Sequence, residues 1–424
     1  MNVFSIIVLV ALLLKFVLEL VANLLNLKAL KLELPPTLEG IYKAEDYRKS
    51  QEYIRATTRF GLVSSAFTLF ILLAFWFAGG FNYFDQVIRA WSFVPVVSGL
   101  LYIGILFLAY GLLMLPFSIY GTFVIEERFG FNRTTPRMFF LDRVKGLGMA
   151  LLLGIPLLAA ILALFEYAGH YAWLYCWAAV AIFSLVMQYV APTWIMPLFN
   201  KFTPLASGEL KEAILRYAHS VNFPIKNVFV IDGSKRSSKS NAFFTGFGRN
   251  KRIALFDTLI GKHNVAEMVA VLAHEIGHYK KKHVLQGVII GILHTGLIFF
   301  LLSLLLGSPG LYQAFYMTQL STYAGLLFLG LLYTPIELVF SVLMQMISRR
   351  NEYEADCFAA ETIDEPVSLI NALKKLSATN LSNLTPHAFY VFLNYSHPPL
   401  LQRVRAIHDI KRFASIANCS LNTF

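Results

Sequence analysis

The chain has 424 residues, of which 57% are hydrophobic and only 14% are charged. Soluble domains average about 25% charged residues, so this composition excludes an ordinary soluble protein and indicates an integral membrane protein. The net charge of +11 is typical of basic cytoplasmic loops, and no nucleic-acid-binding motif accompanies it, so we expect no nucleic-acid partner.

Seven stretches are long enough to cross about 30 Å of hydrocarbon as helices. They are Val3–Leu25, Phe60–Phe81, Val94–Tyr120, Leu147–Phe165, Tyr171–Met196, Val284–Leu306 and Tyr323–Ile347. Lysine and arginine are concentrated in alternate loops, and the positive-inside rule then puts the N-terminus outside and the C-terminus in the cytoplasm. We expect a multi-pass protein of a bacterial inner membrane or, in a eukaryote, of the endoplasmic reticulum membrane.

Two polar segments face the cytoplasm in this topology and divide the chain into four parts. The predicted parts are spans one to five (1–196), a first cytoplasmic segment (197–283), spans six and seven (284–347) and a second cytoplasmic segment (348–424). The first cytoplasmic segment opens with a break at Pro197, and periodicity predicts an amphipathic helix over Gly208–Asn222 and a strand over Asn227–Ile231. A β-hairpin is predicted from Asn241–Phe247 and Arg252–Asp257.

The strongest chemical signal is the H-E-x-x-H motif from His274 to His278. Two histidines four residues apart lie on one face of a helix, so both imidazoles can bind one zinc ion. Glu275, beside the first histidine, can then polarise a zinc-bound water. The alternative from the motif alone is a charged helix surface without metal. The three cysteines are far apart and show no metal-ligand spacing.

A catalytic zinc site needs a third protein ligand and one open position. Glu352 is the candidate, Asp356 shares its helix face, and Glu354 points elsewhere. We expect Asp356 to accept a hydrogen bond from a ligand histidine and to fix its tautomer. His278 precedes span six closely and Glu352 follows span seven closely, so both emerge on the same membrane face. The alternative is an acidic surface turn that pairs with the two preceding arginines.

A third cluster runs from Tyr395 to Arg403 and contains His397 before two prolines. The prolines exclude a helix before them and can start one after them, which puts Arg403 about one turn into a helix. A histidine and an arginine near zinc can stabilise a developing oxyanion or hold a substrate carboxylate. The alternative is a helix-start turn with a solvated histidine.

Together these motifs resemble the integral-membrane type I CAAX prenyl endopeptidases, a family of zinc metalloproteases. The resemblance rests on H-E-I-G-H, on E-Y-E-A-D at 352–356 and on Y-S-H-P-P-L-L-Q-R at 395–403, and it extends from span one to residue 412. Further matching segments are Leu115–Tyr120, Thr122–Glu127, Gly130–Asn132, Ser240–Phe243 and Asn250–Ile253.

The resemblance implies a role for eight residues. The implied zinc ligands are His274, His278 and Glu352, and the implied catalytic carboxylate is Glu275. The resemblance also implies His397 and Arg403 as further active-site residues, and Asn241 and Phe243 as residues of the substrate-binding strand. It also implies a barrel of tilted helices around a large intramembrane chamber, capped by the protease domain. Members of the family remove the C-terminal aaX tripeptide from prenylated CAAX proteins.

The Asn241–Phe247 strand precedes the motif helix and belongs to the predicted hairpin, so we expect it to form the exposed sheet edge. An extended peptide can add to such an edge through backbone hydrogen bonds. A lipid attached near the cleaved bond can then enter the bilayer region or an internal cavity, because the site lies close to the membrane boundary.

We therefore predict an all-α polytopic membrane protein with seven transmembrane helices and a small cytoplasmic α+β domain of gluzincin type. Its predicted activity is zinc-dependent endopeptidase cleavage of prenylated or other peptide substrates beside membrane lipid. One alternative is a bacterial-type quality-control protease with the same metal site. A second alternative is a non-enzymatic transporter or channel, suggested by the many spans and the charges within them.

Overall fold

The computed structural model describes the chain except residues 32, 35–42, 224, 226, 246–251 and 414–424. Helices dominate it, because a backbone in hydrocarbon must satisfy its own hydrogen bonds. The helices of the first half are α1 (Val3–Ala29), α2 (Ala44–Phe77), α3 (Gly80–Ala90), α4 (Pro95–Tyr120), α5 (Pro136–Met149), α6 (Ile155–Tyr167), α7 (Ala172–Val190) and α8 (Met196–Phe199). Those of the second half are α9 (Glu209–Ser220), α10 (Asp257–Ile260), α11 (Val265–Lys280), α12 (His283–Leu305), α13 (Pro309–Gln313), α14 (Thr322–Leu332), α15 (Thr334–Thr362), α16 (Pro366–Thr379), α17 (Ala388–Asn394) and α18 (Leu400–Phe413).

Within the described part of the chain, six helical stretches are long and apolar enough to cross a membrane, and a bent pair of helices makes a seventh. The six stretches are Val3–Ala29, Ala44–Phe77, Pro95–Glu126, Pro136–Tyr167, Gly169–Phe199 and His283–Leu305. The bent pair is α14 with α15. The predicted fold class, a polytopic helical membrane protein with a small sheet-containing domain, is confirmed.

The seventh span differs from its prediction, because the expected continuous helix is broken. Helices α14 and α15 meet at Tyr333 with a bend of 54°. Pro335 lacks an N–H group and its ring crowds the preceding turn, which prevents a straight helix. The Thr334 hydroxyl donates to the Leu331 carbonyl at 2.7 Å and satisfies one of the freed groups. Helix α15 then continues past Ile347 without interruption, so one rigid helix leads from the membrane into the candidate site.

Other helices also end at different residues from the predicted spans. Helix α2 begins at Ala44, well before the predicted Phe60, and Phe81 belongs to the separate helix α3. The helix does not break at Pro197 as predicted. A π-helical turn lies just before this proline, and the helix continues to Phe199. The π-helical turns are Gly121–Glu126, Ala150–Gly154 and Ala191–Ile195. Prolines in or next to such turns are expected, because a wider turn accommodates the missing hydrogen bond.

A four-stranded sheet forms in the first polar segment. Its strands are β1 (Phe202–Pro204), β2 (Asn227–Ile231), β3 (Ala242–Thr245) and β4 (Arg252–Phe256), in the spatial order β1-β2-β4-β3. β2 and β4 are parallel, and the two outer pairs are antiparallel. The predicted strand β2 and the predicted pairing of β3 with β4 are both present, and α9 occupies most of the predicted amphipathic helix. The hairpin turn Gly248–Lys251 lies outside the described residues, and β1 was not predicted.

The hydrophobic core beside the membrane joins both polar segments. Ile214 of α9, Leu255 of β4, Leu272 of α11 and Leu369 of α16 all belong to it and are almost fully buried. Tyr47, at the start of α2, is also buried in this core. The loop after span one therefore contributes to the extramembrane unit, and the four domain boundaries given above stay predictions.

Candidate metal centre

Helix α11 carries the H-E-x-x-H motif, and its start is well defined. Asn264 Oδ1 accepts a hydrogen bond from the Glu267 N–H at 2.8 Å, and the Asn264 N–H donates to Glu267 Oε2 at 3.2 Å. This reciprocal capping box satisfies two of the N–H groups that a helix N-terminus leaves unpaired. From this cap, α11 continues without a break through both motif histidines, which gives them the expected spacing on one face.

Gly277, inside the motif, lets helices α11 and α15 approach closely. A Cβ atom at this position would lie 3.0 Å from both the Cα atom and the carbonyl oxygen of Ala355. Such a distance is too short for a comfortable contact with backbone, so a larger residue would push the helices apart. The close approach brings Glu352, one turn before Ala355, onto the histidine face of α11.

Three candidate ligands converge at this helix pair. His274 Nε2 and His278 Nε2 lie 3.2 Å apart, and the Glu352 carboxylate oxygens lie 3.4 Å from the first and 3.3 Å from the second. Zinc bonds of about 2.0–2.1 Å in a tetrahedral site place neighbouring ligands about 3.3 Å apart. The observed separations fit that geometry.

The polar environment also fits a cation. Glu352 is 4% exposed, and its Oε2 atom makes no regular hydrogen bond among the described residues; His274 Nε2 and Arg403 Nη1 each lie 3.4 Å from it. A buried carboxylate oxygen held only by such long contacts is costly, and a bound metal ion would satisfy it. Two imidazoles and one carboxylate are a common ligand set of catalytic zinc sites, which leave a fourth position open.

Behind the histidines, Asp356 and Arg403 form a buried pair. Asp356 Oδ1 lies 2.9 Å from His274 Nδ1, and Arg403 donates to the two Asp356 oxygens at 2.6 and 2.7 Å. Burial alone lowers the pKa of His274, but its hydrogen bonds to Asp356 and Glu352 outweigh burial and raise the pKa to about 9. The two carboxylates thus favour the protonated imidazole, so protons and a metal ion compete for His274.

Two further predicted residues, Glu275 and His397, lie beside the cluster. Burial raises the pKa of the Glu275 carboxyl, which makes no hydrogen bond to another described side chain. His397 Nε2 lies 3.2 Å from Glu352 Oε1, and its Nδ1 lies 2.8 Å from the Ser396 hydroxyl. The His397 side chain is 63% exposed, so it can meet a molecule that arrives from solvent.

Of the two predicted strand residues, Phe243 lies on β3, which contacts α11 and forms one edge of the sheet, and Asn241 directly precedes it. The Asn241 carbonyl, just before β3, accepts from the Phe256 N–H at 3.1 Å, and Asn241 Oδ1 accepts from the Ala242 N–H at 2.9 Å. Phe243 pairs with Ala254 through the register of β3 and β4. The side chain of Phe243 lies outside the described part of the chain.

The chain matches known proteins along nearly its whole length. Residues 23–201 match the family model for the N-terminal part of CAAX prenyl proteases, with five membrane helices, and residues 204–411 match peptidase family M48. A CAAX prenyl protease 1 homolog of Arabidopsis thaliana is 38% identical, covering 92% of this chain and 94% of the relative. CAAX prenyl protease 1 of Saccharomyces cerevisiae is 36% identical, covering 88% of each chain. The crystal structure of S. mikatae Ste24p has a TM-score of 0.91 at 34% identity, over 96% of this chain and 99% of that one.

The chain belongs to peptidase family M48. It is therefore a multi-pass membrane metalloendopeptidase that uses a metal cofactor. The enzyme interpretation is confirmed, and the transporter interpretation loses its support. The resemblance noted from the motifs is confirmed as well.

One part of this peptidase site was missed by sequence reasoning. His278 Nδ1 lies 3.0 Å from His283 Nδ1, and His283 Nε2 lies 3.1 Å from Glu354 Oε2. If His278 binds metal through Nε2, its Nδ1–H donates to His283, and His283 then donates through Nε2 to Glu354. This chain of hydrogen bonds fixes the tautomer of His278. Glu354 points away from the ligands, as predicted, but reaches one of them indirectly.

No helical spacing in the sequence indicates that His283 lies beside His278. His283 begins α12, and the chain turns between α11 and α12 at Lys282, which has φ of +62°. A spacing of five residues does not put two side chains on one helix face. Only the turn at Lys282 brings the His283 ring back onto His278.

Proposed function

We propose that this M48 peptidase uses zinc to cleave near the C-terminus of prenylated, CAAX-type proteins. The observation that carries the proposal is the His274, His278 and Glu352 cluster, whose spacing suits one tetrahedral zinc ion. Relatives named CAAX prenyl protease 1 from a plant and a yeast support the substrate class, because they are similar over nearly the whole chain.

Zinc, when bound by these three residues, supplies a Lewis acid that polarises the scissile carbonyl and activates a water molecule. We assign Glu275 as the group that takes a proton from the attacking water and returns it to the leaving amine. Its burial supports this role, since a raised pKa brings a carboxylate closer to the working range of a general base.

His397 and Arg403 receive different roles. We assign the His397 ring, which is exposed and next to Glu352, to donate a hydrogen bond to the oxyanion that forms on the substrate. Arg403 is 9% exposed and both of its bonds to Asp356 are short, so it is poorly available to substrate. We therefore assign Arg403 to holding Asp356, and Asp356 to orienting His274. This assignment differs from the oxyanion role expected for Arg403 from its sequence position.

The substrate peptide is proposed to add to the open edge of β3. Asn241 would hold a peptide backbone group through its side chain, and Phe243 would line the same strand. Since α15 enters the site directly from the membrane, a prenyl group near the scissile bond can remain in the bilayer or in an internal chamber while the peptide lies on β3. The lysine and arginine distribution supports a cytoplasmic site and an outside N-terminus. The membrane would be a bacterial inner membrane or the endoplasmic reticulum.

A farnesylated CAAX peptide tests the proposal most simply. Purified protein in detergent or nanodiscs should release the tripeptide, and a zinc chelator should stop the reaction. The matched unprenylated peptide should be cleaved more slowly. No cleavage of the farnesylated peptide by zinc-loaded protein would contradict the substrate class. Equal rates on both peptides would remove the lipid from recognition and favour the quality-control alternative.

A further inference from the structure

The two edges of strand β3 differ in what their backbone groups contact. In an antiparallel ladder, the N–H and C=O groups of successive residues point alternately toward the partner strand and away from it. The Asn241 carbonyl bonds to Phe256, so Asn241 faces the neighbouring strand β4. The residues on either side of it, Ser240 and Ala242, therefore present their backbone groups to the outer edge, where a substrate strand would add.

At Ser240 this outer edge is already occupied by a side chain. The Ser240 N–H donates to Asn380 Oδ1 at 2.9 Å, and Asn380 Nδ2 donates to the Ser240 carbonyl at 3.0 Å. A residue of an added antiparallel strand would exchange the same two hydrogen bonds with Ser240. The carboxamide of Asn380 thus stands where one residue of a bound peptide would otherwise pair.

Both partners of this contact are held firmly. Asn380 caps the end of α16, and its N–H donates to the Leu376 carbonyl at 3.0 Å. Ser240 is 3% exposed, and its hydroxyl donates to the Thr258 carbonyl at 2.9 Å. Moving Asn380 away would leave the N–H and carbonyl of a buried residue unpaired, which costs about 1–3 kcal/mol per group. A peptide that displaced Asn380 would only replace these two hydrogen bonds and would leave the Asn380 carboxamide without them, so it gains little.

We propose that Asn380 closes the substrate-binding edge at Ser240 and so limits how far a bound peptide extends on that side of the metal centre. This rests on the proposed addition of substrate to β3. The next outward position is Ala242, two residues or about 7 Å further along the strand. The Ala242 N–H bonds to Asn241 Oδ1, so the amide nitrogen of Asn241 remains to hold the peptide at this end. Asn380 and Asn241 together form a polar stop, which suits a substrate with a short segment on one side of the cleaved bond.

Two series of peptides test this limit. Each starts from a CAAX peptide and adds one to four residues, at the C-terminus in one series and at the N-terminus in the other. Wild-type protein should show a sharp fall in kcat/KM in one series only. In Asn380→Ala, the kcat/KM of the first rejected length, divided by that of the parent peptide, should rise at least tenfold, and the metal content should not change. Both series are made with and without the farnesyl group, so a lipid preference and a length limit are measured separately.

Asn383→Ala is the matched control. Asn383 is a buried asparagine on the same loop, and its side chain bonds to Asn26 of α1 rather than to β3. Its loss should lower stability without moving the length limit. Asn380→Asp is the second variant, for use if the alanine variant fails to fold. It keeps an acceptor for the Ser240 N–H but loses the N–H donor to the Ser240 carbonyl, so it should relax the length limit partially.

The results separate this proposal from the function on which it rests. Absence of a length limit in both wild-type series would overturn the closed edge, whatever the effect of the lipid. An unchanged limit in folded Asn380→Ala and Asn380→Asp would overturn it equally. A limit that moves, with equal rates on farnesylated and plain peptides, would support the closed edge and contradict the lipid preference.

Discussion

In the proposed mechanism, the helix pair α11–α15 and the strand β3 serve the same reaction by different means. On the helix pair the functional groups are buried side chains, and each has partners of its own: His274 has Asp356, and His278 has His283. On β3 the functional groups are backbone amides at an open edge, and side chains such as that of Asn241 act only at the end of this edge. A buried ligand set acts as a unit, so one loss removes the metal. An open edge binds through several equivalent hydrogen bonds, so one loss should only weaken binding.

The largest expected effect is that of His274→Ala. It removes a ligand and leaves the Asp356 carboxylate without its histidine partner. We expect loss of both bound metal and peptidase activity, measured by metal analysis and by peptide cleavage on the same sample. A variant that retains a full equivalent of zinc would remove His274 from the ligand set.

Glu275→Ala should separate chemistry from metal binding. Glu275 is adjacent to a ligand in sequence but is not part of the cluster that converges on the metal. Metal content should stay at the wild-type level, while kcat falls by about 10²–10⁴-fold, the usual contribution of a general acid–base group. Full activity in this variant would contradict the proposed mechanism.

Asp356→Asn and Glu352→Gln sharpen the division between a ligand and its support. Glu352→Gln should strongly reduce zinc occupancy, because amide oxygen is a poor replacement for a carboxylate ligand. Asp356→Asn should weaken zinc affinity by about 10–100-fold, as expected for a partner that orients a ligand histidine. Competition with a chelator of known affinity measures both. The reverse order would exchange the two roles.

Glu354→Gln should have a smaller effect than either. Glu354 reaches the metal centre only through His283, and it is also paired with Arg350 at 3.0 Å. We expect a loss of zinc affinity below about tenfold, at the low end of the range for indirect partners. His283→Ala should match or exceed it. An effect of Glu354→Gln as large as that of Glu352→Gln would mean that the wrong glutamate has been assigned as ligand.

The smallest effect is expected at the strand edge, from Asn241→Ala. One lost hydrogen bond contributes about 0.5–1.5 kcal/mol, which corresponds to a rise in KM of about 2–13-fold. Zinc content should not change. Initial rates over a range of peptide concentrations measure KM and kcat separately. Loss of metal in this variant would mean that the edge and the helix pair are not the independent regions described above.

The same contrast explains how much of the structure could be predicted. His274, His278, Glu352 and Asp356 follow from four-residue spacings on two helices, and a spacing of this kind can be read without tertiary information. The seven crossings follow equally from long apolar stretches.

What was missed depends on contacts between separate segments or on the breaking of one element. The bend at Tyr333 arises because Pro335 interrupts an otherwise helical sequence. The position of the His283 ring depends on the positive φ of Lys282. Asn380 reaches Ser240 across 140 residues of sequence, and no local pattern predicts such a contact.

Zinc K-edge X-ray absorption on the purified protein tests the central claim most directly. The account predicts about one zinc per chain, with two imidazole nitrogens at about 2.0–2.1 Å, carboxylate oxygen and one further light-atom position. In His278→Ala the imidazole signal should fall or the metal should be lost. A sulfur ligand in the spectrum, or zinc-free protein that still cleaves peptide in the presence of chelator, would contradict it.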